Sequence, residues 1–144
     1  MALNPAPDRT NGPVVAALIA RHAGLLVIAI QLAILALSGA TGEFPVNDDW
    51  AYAHSVRWLL DEHRIRLSDW IAMNLLPQTL LGAGAAALFG DSLSILRHVT
   101  QLVSVVVAYA LFHWFVAVGL ARRDALVASV AVMAMPCWAV LSNS

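Results

Sequence analysis

Apolar and polar residues fall in long blocks along this chain. After a polar opening to Pro13 that contains three prolines, the chain turns apolar at Val14 and pauses at Arg21 and His22. It then runs through residues 23–40 with only Gln31 and Ser38 as polar interruptions, just enough length to cross a bilayer. A small-residue ending at Ser38, Gly39 and Ala40 loosely resembles a signal-peptide cleavage site, but the long preface and long apolar core favour a retained anchor. A second apolar block, residues 95–118, has Arg97 and His98 near its start and His113 and Trp114 near its end. A third, 125–141, is interrupted by Pro136. The pattern predicts about three transmembrane helices.

Between the first two blocks lies a region of different texture, residues 41–92. Gly42 and Pro45 end a helix and turn the chain outward. Asn47 or Asp48 is a good N-cap, and acidic groups in the first turn suit the positive end of a helix dipole. At about 100° per residue, Tyr52, Ala53, Val56, Leu59 and Leu60 gather on one side, while His54, Arg57 and Asp61 gather on the other. This predicts an interfacial helix with Trp50 and Trp58 near headgroup depth. Proline is best tolerated in a first turn, so a second helix is expected from near Pro77 to Gly90. It is short for a span, and its small residues Gly82, Gly84, Ala86 and Ala87 suit close packing. The expected architecture is an all-α integral membrane protein, with a flexible tail over residues 1–13 and a single membrane domain over 14–144. No internal repeat or low-complexity block appears.

Composition strengthens the membrane reading. The chain is 60% hydrophobic and 12% charged, against about a quarter charged in ordinary soluble domains, and its mean hydropathy is +0.76. All eight basic residues are scattered arginines, so no basic stripe exists to follow a nucleic-acid backbone. The single cysteine, Cys137, lies in an apolar run where a buried, inert thiol is expected. Arg9 and Arg21 precede the first span, and Arg122 and Arg123 lie between the last two, which places the N-terminus and residues 119–124 inside and the 41–92 loop outside.

Acidic residues concentrate in that loop, at Glu43, Asp48, Asp49, Asp61, Glu62, Asp69 and Asp91. Asp48 and Asp49 read either as a helix cap or as reactive carboxylates. Trp50, Trp58, Trp70 and Trp114 suit interfacial anchoring more than sugar stacking. Arg97 could snorkel to the headgroups or bind a phosphate. His54 reads as a solvated residue that could also contact an acceptor. Asp61, Glu62 and His63 lack a partner at metal-ligand spacing, so no metal site is expected.

Pro45, Asp48-Asp49 and Tyr52-Ala53, followed by an amphipathic helix, by the stretch LFGDSLSILR and by ARRDALVASVAVMAMPCWAVLSNS, resemble the N-terminal portion of a GT-C glycosyltransferase. The likeness is to the protein mannosyltransferase and lipid A aminoarabinose transferase branch. It implies an inverting transferase that moves a sugar from a polyprenyl-phosphate donor to an acceptor at the outer face of a bacterial-type inner or plasma membrane. By position Asp48 would be the general base, with Asp49 assisting; Tyr52, His54, Arg57 and Arg97 would contact substrate. No cofactor is expected, and a divalent cation is left open. The chain has no lysine, so phosphate contacts would fall to arginines such as Arg57, Arg64, Arg66 and Arg97. Family members carry many more spans, so the chain reads as the front of a longer enzyme, its partners being the donor lipid, the bilayer and the rest of that enzyme. The alternative is a non-catalytic membrane scaffold or inactive remnant that associates through its helices.

Overall fold

The computed structural model describes residues 12–38, 49–69 and 76–142. Among these the regular structure is entirely helical: α1 (Gly12–Ser38), α2 (Asp49–Glu62), α3 (Leu76–Phe89), α4 (Leu93–Ala117), α5 (Arg122–Met133) and α6 (Pro136–Leu141).

Two helices are long and apolar enough to cross a membrane, α1 over Ala17–Ser38 and α4 over its whole length. At about 1.5 Å per residue, the 25 residues of α4 reach about 37 Å. Helix α1 starts at Gly12, so Gly12 and Pro13 belong to a helix and not to the expected tail; the remaining tail residues lie outside the described ones. Pro13 is the second residue of α1, where its missing N–H costs no helical bond.

Helix α4 is the spine. Its first turns pack on α2 and α3 through Leu96, with Tyr52, Ala53, Val56, Ala83 and Ala86. Further along, Ala108 and Phe112 pack on α1 and α5 through Ala23, Val27, Ala125 and Met133. Helices α1 and α4 run antiparallel, since Gln31 meets Ser104 while Gly24 meets Tyr109 and Phe112. Helices α3 and α4 form a second antiparallel pair, with Gln78 against Thr100 and Gly82 against Leu96. The turn between them is closed by Ser92, whose Oγ accepts from the N–H of Ile95 at 3.2 Å. The far end of α4 closes with Gly119 at φ +102°, its N–H bonding Val116 O while that of Leu120 reaches back to Phe115 O. These are the paired bonds of a Schellman motif, and they require the left-handed backbone that glycine adopts freely.

The apolar run 125–141 is not one helix. It breaks at residues 134–135, where Pro136, having no N–H to give, opens the separate helix α6. Polar atoms join α6 to the bundle. Trp138 Nε1–H donates to Gln31 Oε1 at 2.9 Å, Gln31 Nε2–H donates to Ser104 Oγ at 3.1 Å, and Ser104 Oγ–H donates to Gln101 O at 2.7 Å. Gln31 is fully buried, so the amide that interrupts the first apolar run has both ends satisfied inside the protein. Cys137, expected buried, is exposed. Its neighbour Trp138 turns inward to Gln31, which leaves the thiol facing out.

Candidate functional site

The site is built where α2 begins, over the first turns of α4. Asp49 opens α2, and its Oδ2 accepts from Arg97 Nη2 at 3.0 Å; the two side chains are 6% and 1% exposed. Each member answers a local electrostatic need. A carboxylate in the first turn of α2 faces the positive end of that helix, whereas an arginine near the start of α4 faces the same end unfavourably. Their pairing across 48 residues offsets the second effect and ties the loop to the spine. Two charges so deeply withdrawn from water hold together only while both are present.

Tyr52 lies one turn beyond Asp49 on the same face of α2 and is buried. Its hydroxyl donates to the carbonyl of Gln78 at 2.9 Å. Burial, and then the charge of Asp49, push its phenol well above the ordinary tyrosine range, which keeps it a proton donor. The carboxamide of Gln78 in turn donates to Thr100 Oγ1 at 3.2 Å. A chain of polar contacts therefore runs from α2 through α3 to α4.

The opposite face of α2 is open. His54 stands exposed between Trp50 and Trp58, with ring centroids 6.1 and 5.8 Å away, and the Arg66 guanidinium lies 4.4 Å from the Trp58 ring centroid. Arg57 pairs with Asp91 at 2.7 Å, both partly exposed, linking α2 to the turn before α4. After α2 the backbone turns through His63 at φ +51° and is drawn back by Ser55, whose Oγ accepts from the N–H of Ser68 at 3.1 Å.

Of the residues singled out in the sequence, Asp49, Tyr52 and Arg97 come together. Arg57 lies on the exposed side with Asp91, and His54 lies apart among the tryptophans. Asp48 is outside the described residues. Arg97 does not reach outward, because its guanidinium is buried against the Asp49 carboxylate. Gln78, Gly82 and Asp91 were not singled out as site residues, and neither was Gln31. For Gln31 a signal existed: an amide in the middle of a bilayer-length run needs an internal partner. Among the described residues no group of three or more His, Cys, Asp or Glu could hold a metal ion.

Beside this polar chain lies an apolar groove of about 390 Å³ between α3 and α6 on the flank of α4, lined by Pro77, Leu81, Val103, Val107 and Trp138 among others. Gln78 belongs to both, since its carbonyl holds Tyr52 and its side chain borders the groove. The arrangement fixes one carboxylate against Arg97 and, through Gln78, ties α2 to the wall of an apolar groove. No family model, curated protein or solved structure matches the chain.

Proposed function

We propose that this chain forms the front of a multi-pass membrane glycosyltransferase of the GT-C type, which transfers a sugar from a polyprenyl-phosphate donor to a hydroxyl or amine acceptor. The observation that carries the reading is the buried Asp49–Arg97 pair at the head of α2, one helical turn from Tyr52, whose partner Gln78 lines an apolar groove. It joins the resemblance in residues 45–53 and 88–97 to a defined geometry. Two helices of bilayer length, with Leu25, Leu32, Leu37, Leu102, Val106 and Val107 on their open faces, support placement in lipid, which tolerates such surfaces as water does not.

In this reading the acceptor oxygen or nitrogen forms a bond to the anomeric carbon as the bond to the donor phosphate breaks. The electron pair leaves with the polyprenyl phosphate and the acceptor proton passes to a carboxylate. One displacement inverts the anomeric centre. Asp48 takes the proton, a role typically contributing about 10²- to 10⁴-fold. Asp49, fixed by Arg97, sets the start of α2. Tyr52 is a clamp for that start, because its hydroxyl is spent on Gln78. Of the expected substrate contacts, His54 and Arg57 are exposed, the latter in its pair with Asp91.

A scaffold reading is favoured by one observation: Asp49, Tyr52 and Arg97 all find partners within the chain, as structural groups do. The substitution Asp48→Asn in the native membrane separates the two. Loss of sugar transfer with normal membrane insertion supports the transferase; undiminished transfer overturns it and leaves the scaffold.

A further inference from the structure

We infer that the end of the molecule opposite the Asp49–Arg97 site binds the headgroup of an anionic phospholipid, through Arg21 of α1 and Arg122 and Arg123 of α5. The inference rests on the membrane placement proposed above, and not on sugar transfer. Ala23 and Ala125 are fully buried in the same cluster, so the arginines just before them emerge at a common end. Phe112 neighbours both Gly24 of α1 and Arg122 of α5. A side chain on Gly24 would come within 3.5 Å of the Phe112 ring, and the Arg122 guanidinium lies 5.9 Å from that ring's centroid.

All three arginines are exposed, as are His22 and His113 at the same level, and Asp124 is the acidic residue beside them. The opposite end carries mixed charge, with Asp61, Glu62, Asp69 and Asp91 exposed alongside Arg57, Arg64 and Arg66. Depth is set by Trp114, which is 57% exposed and two residues beyond Phe112 on α4. An outward-facing tryptophan near the end of a bilayer-length helix marks the headgroup layer. Three guanidiniums held at that layer meet the phosphates of anionic lipids and neutralise them. A zwitterionic headgroup carries its own cation and gains less.

The probe is the detergent-purified chain, offered equal amounts of phosphatidylglycerol and phosphatidylcholine of the same acyl composition. Retained lipid is counted by native mass spectrometry. Three charges together predict on the order of a hundredfold preference for phosphatidylglycerol. The triple variant R21Q/R122Q/R123Q is expected to bind both lipids alike, whereas R21K/R122K/R123K, which keeps the charge, retains the preference. Equal retention by the unaltered chain overturns the inference, as does loss in the lysine and glutamine variants alike. Displacement of phosphatidylglycerol by polyglutamate at similar concentration would assign the patch to an acidic protein partner instead. A chain that stays dispersed without detergent and washes off membranes in carbonate would overturn the membrane placement itself, a result distinguishable from a bilayer-embedded chain that shows no lipid preference.

Discussion

Tyr52 stands where a side chain on residue 82 would have to go. A methyl at Gly82 would come within 2.9 Å of Tyr52 Cζ and 3.1 Å of Leu96 Cδ2, closer than packed carbon atoms allow. Alanine gains about 1 kcal/mol of helix propensity over glycine, but overpacking a tight contact costs about 1–3 kcal/mol, and the tyrosine cannot retreat without losing its bond to Gln78. Gly82→Ala is therefore expected to destabilise the detergent-solubilised protein by up to about 2 kcal/mol. In a Tyr52→Phe background, with the hydroxyl gone, the same change should cost less. Thermal unfolding of the four proteins in this cycle measures the coupling.

The Asp49–Arg97 pair predicts a different pattern. Asp49→Asn or Arg97→Gln strands one buried charge, and each is expected to cost about 3–5 kcal/mol. The double variant strands none and should be more stable than either single one. Asp91→Asn, which breaks the partly exposed pair with Arg57, is expected to cost under about 1 kcal/mol. Equal losses at Asp49 and Asp91 would contradict the difference in burial.

Tyr52 also makes stability depend on alkaline pH. Its folded pKa is raised above the ordinary 10.0, so below that value the phenol is protonated in both states and its contribution is complete. Above about pH 10 the unfolded phenol ionises while the buried one holds its proton, and stability falls as pH rises. Unfolding midpoints from pH 8 to 11.5 should decline more steeply for the unaltered chain than for Tyr52→Phe.

Gln31→Leu removes the acceptor of the Trp138 indole and the donor to Ser104. The expected loss is about 1–3 kcal/mol, most of it from the stranded indole N–H. Cys137 is exposed, adjacent to Trp138 and the sole cysteine. A spin label there should gain mobility in Gln31→Leu with overall helicity unchanged; an unaltered spectrum would show that α6 is held by other contacts.

For topology, Ile65 and Ala121 are both exposed and lie on opposite sides of the proposed bilayer. With Cys137 replaced by serine, a cysteine at 65 should react with an impermeant reagent from outside and one at 121 should not. The reverse pattern would place the Asp49–Arg97 site inside.

Local signals carried much of this fold. The period of α2 separated Tyr52, Ala53 and Val56, now buried, from His54, Arg57 and Asp61, now exposed, because one helix face decides those positions. Pro77 marked the start of α3 to within one residue, since proline is confined to a first turn. The break at residues 134–135 was missed, because apolar length alone does not say whether a proline kinks a helix or ends it. The partner of Arg97 was out of reach for a different reason. It depends on how α2 and α4 dock, and nothing near residue 97 encodes that Asp49 will arrive there. The same holds for the space between Tyr52 and Gly82.

Gln31 is bonded to residues 73 and 107 positions further along the chain. During synthesis at about 5–20 residues per second, its amide thus waits about 5–20 s after leaving the ribosome for its second partner. Throughout that interval α1 carries a polar group that lipid, in the proposed placement, cannot satisfy. Helix α1, made before the other described helices, is therefore among the last to be secured, and in the proposed membrane setting it has reason to linger beside water or the insertion machinery until α6 docks.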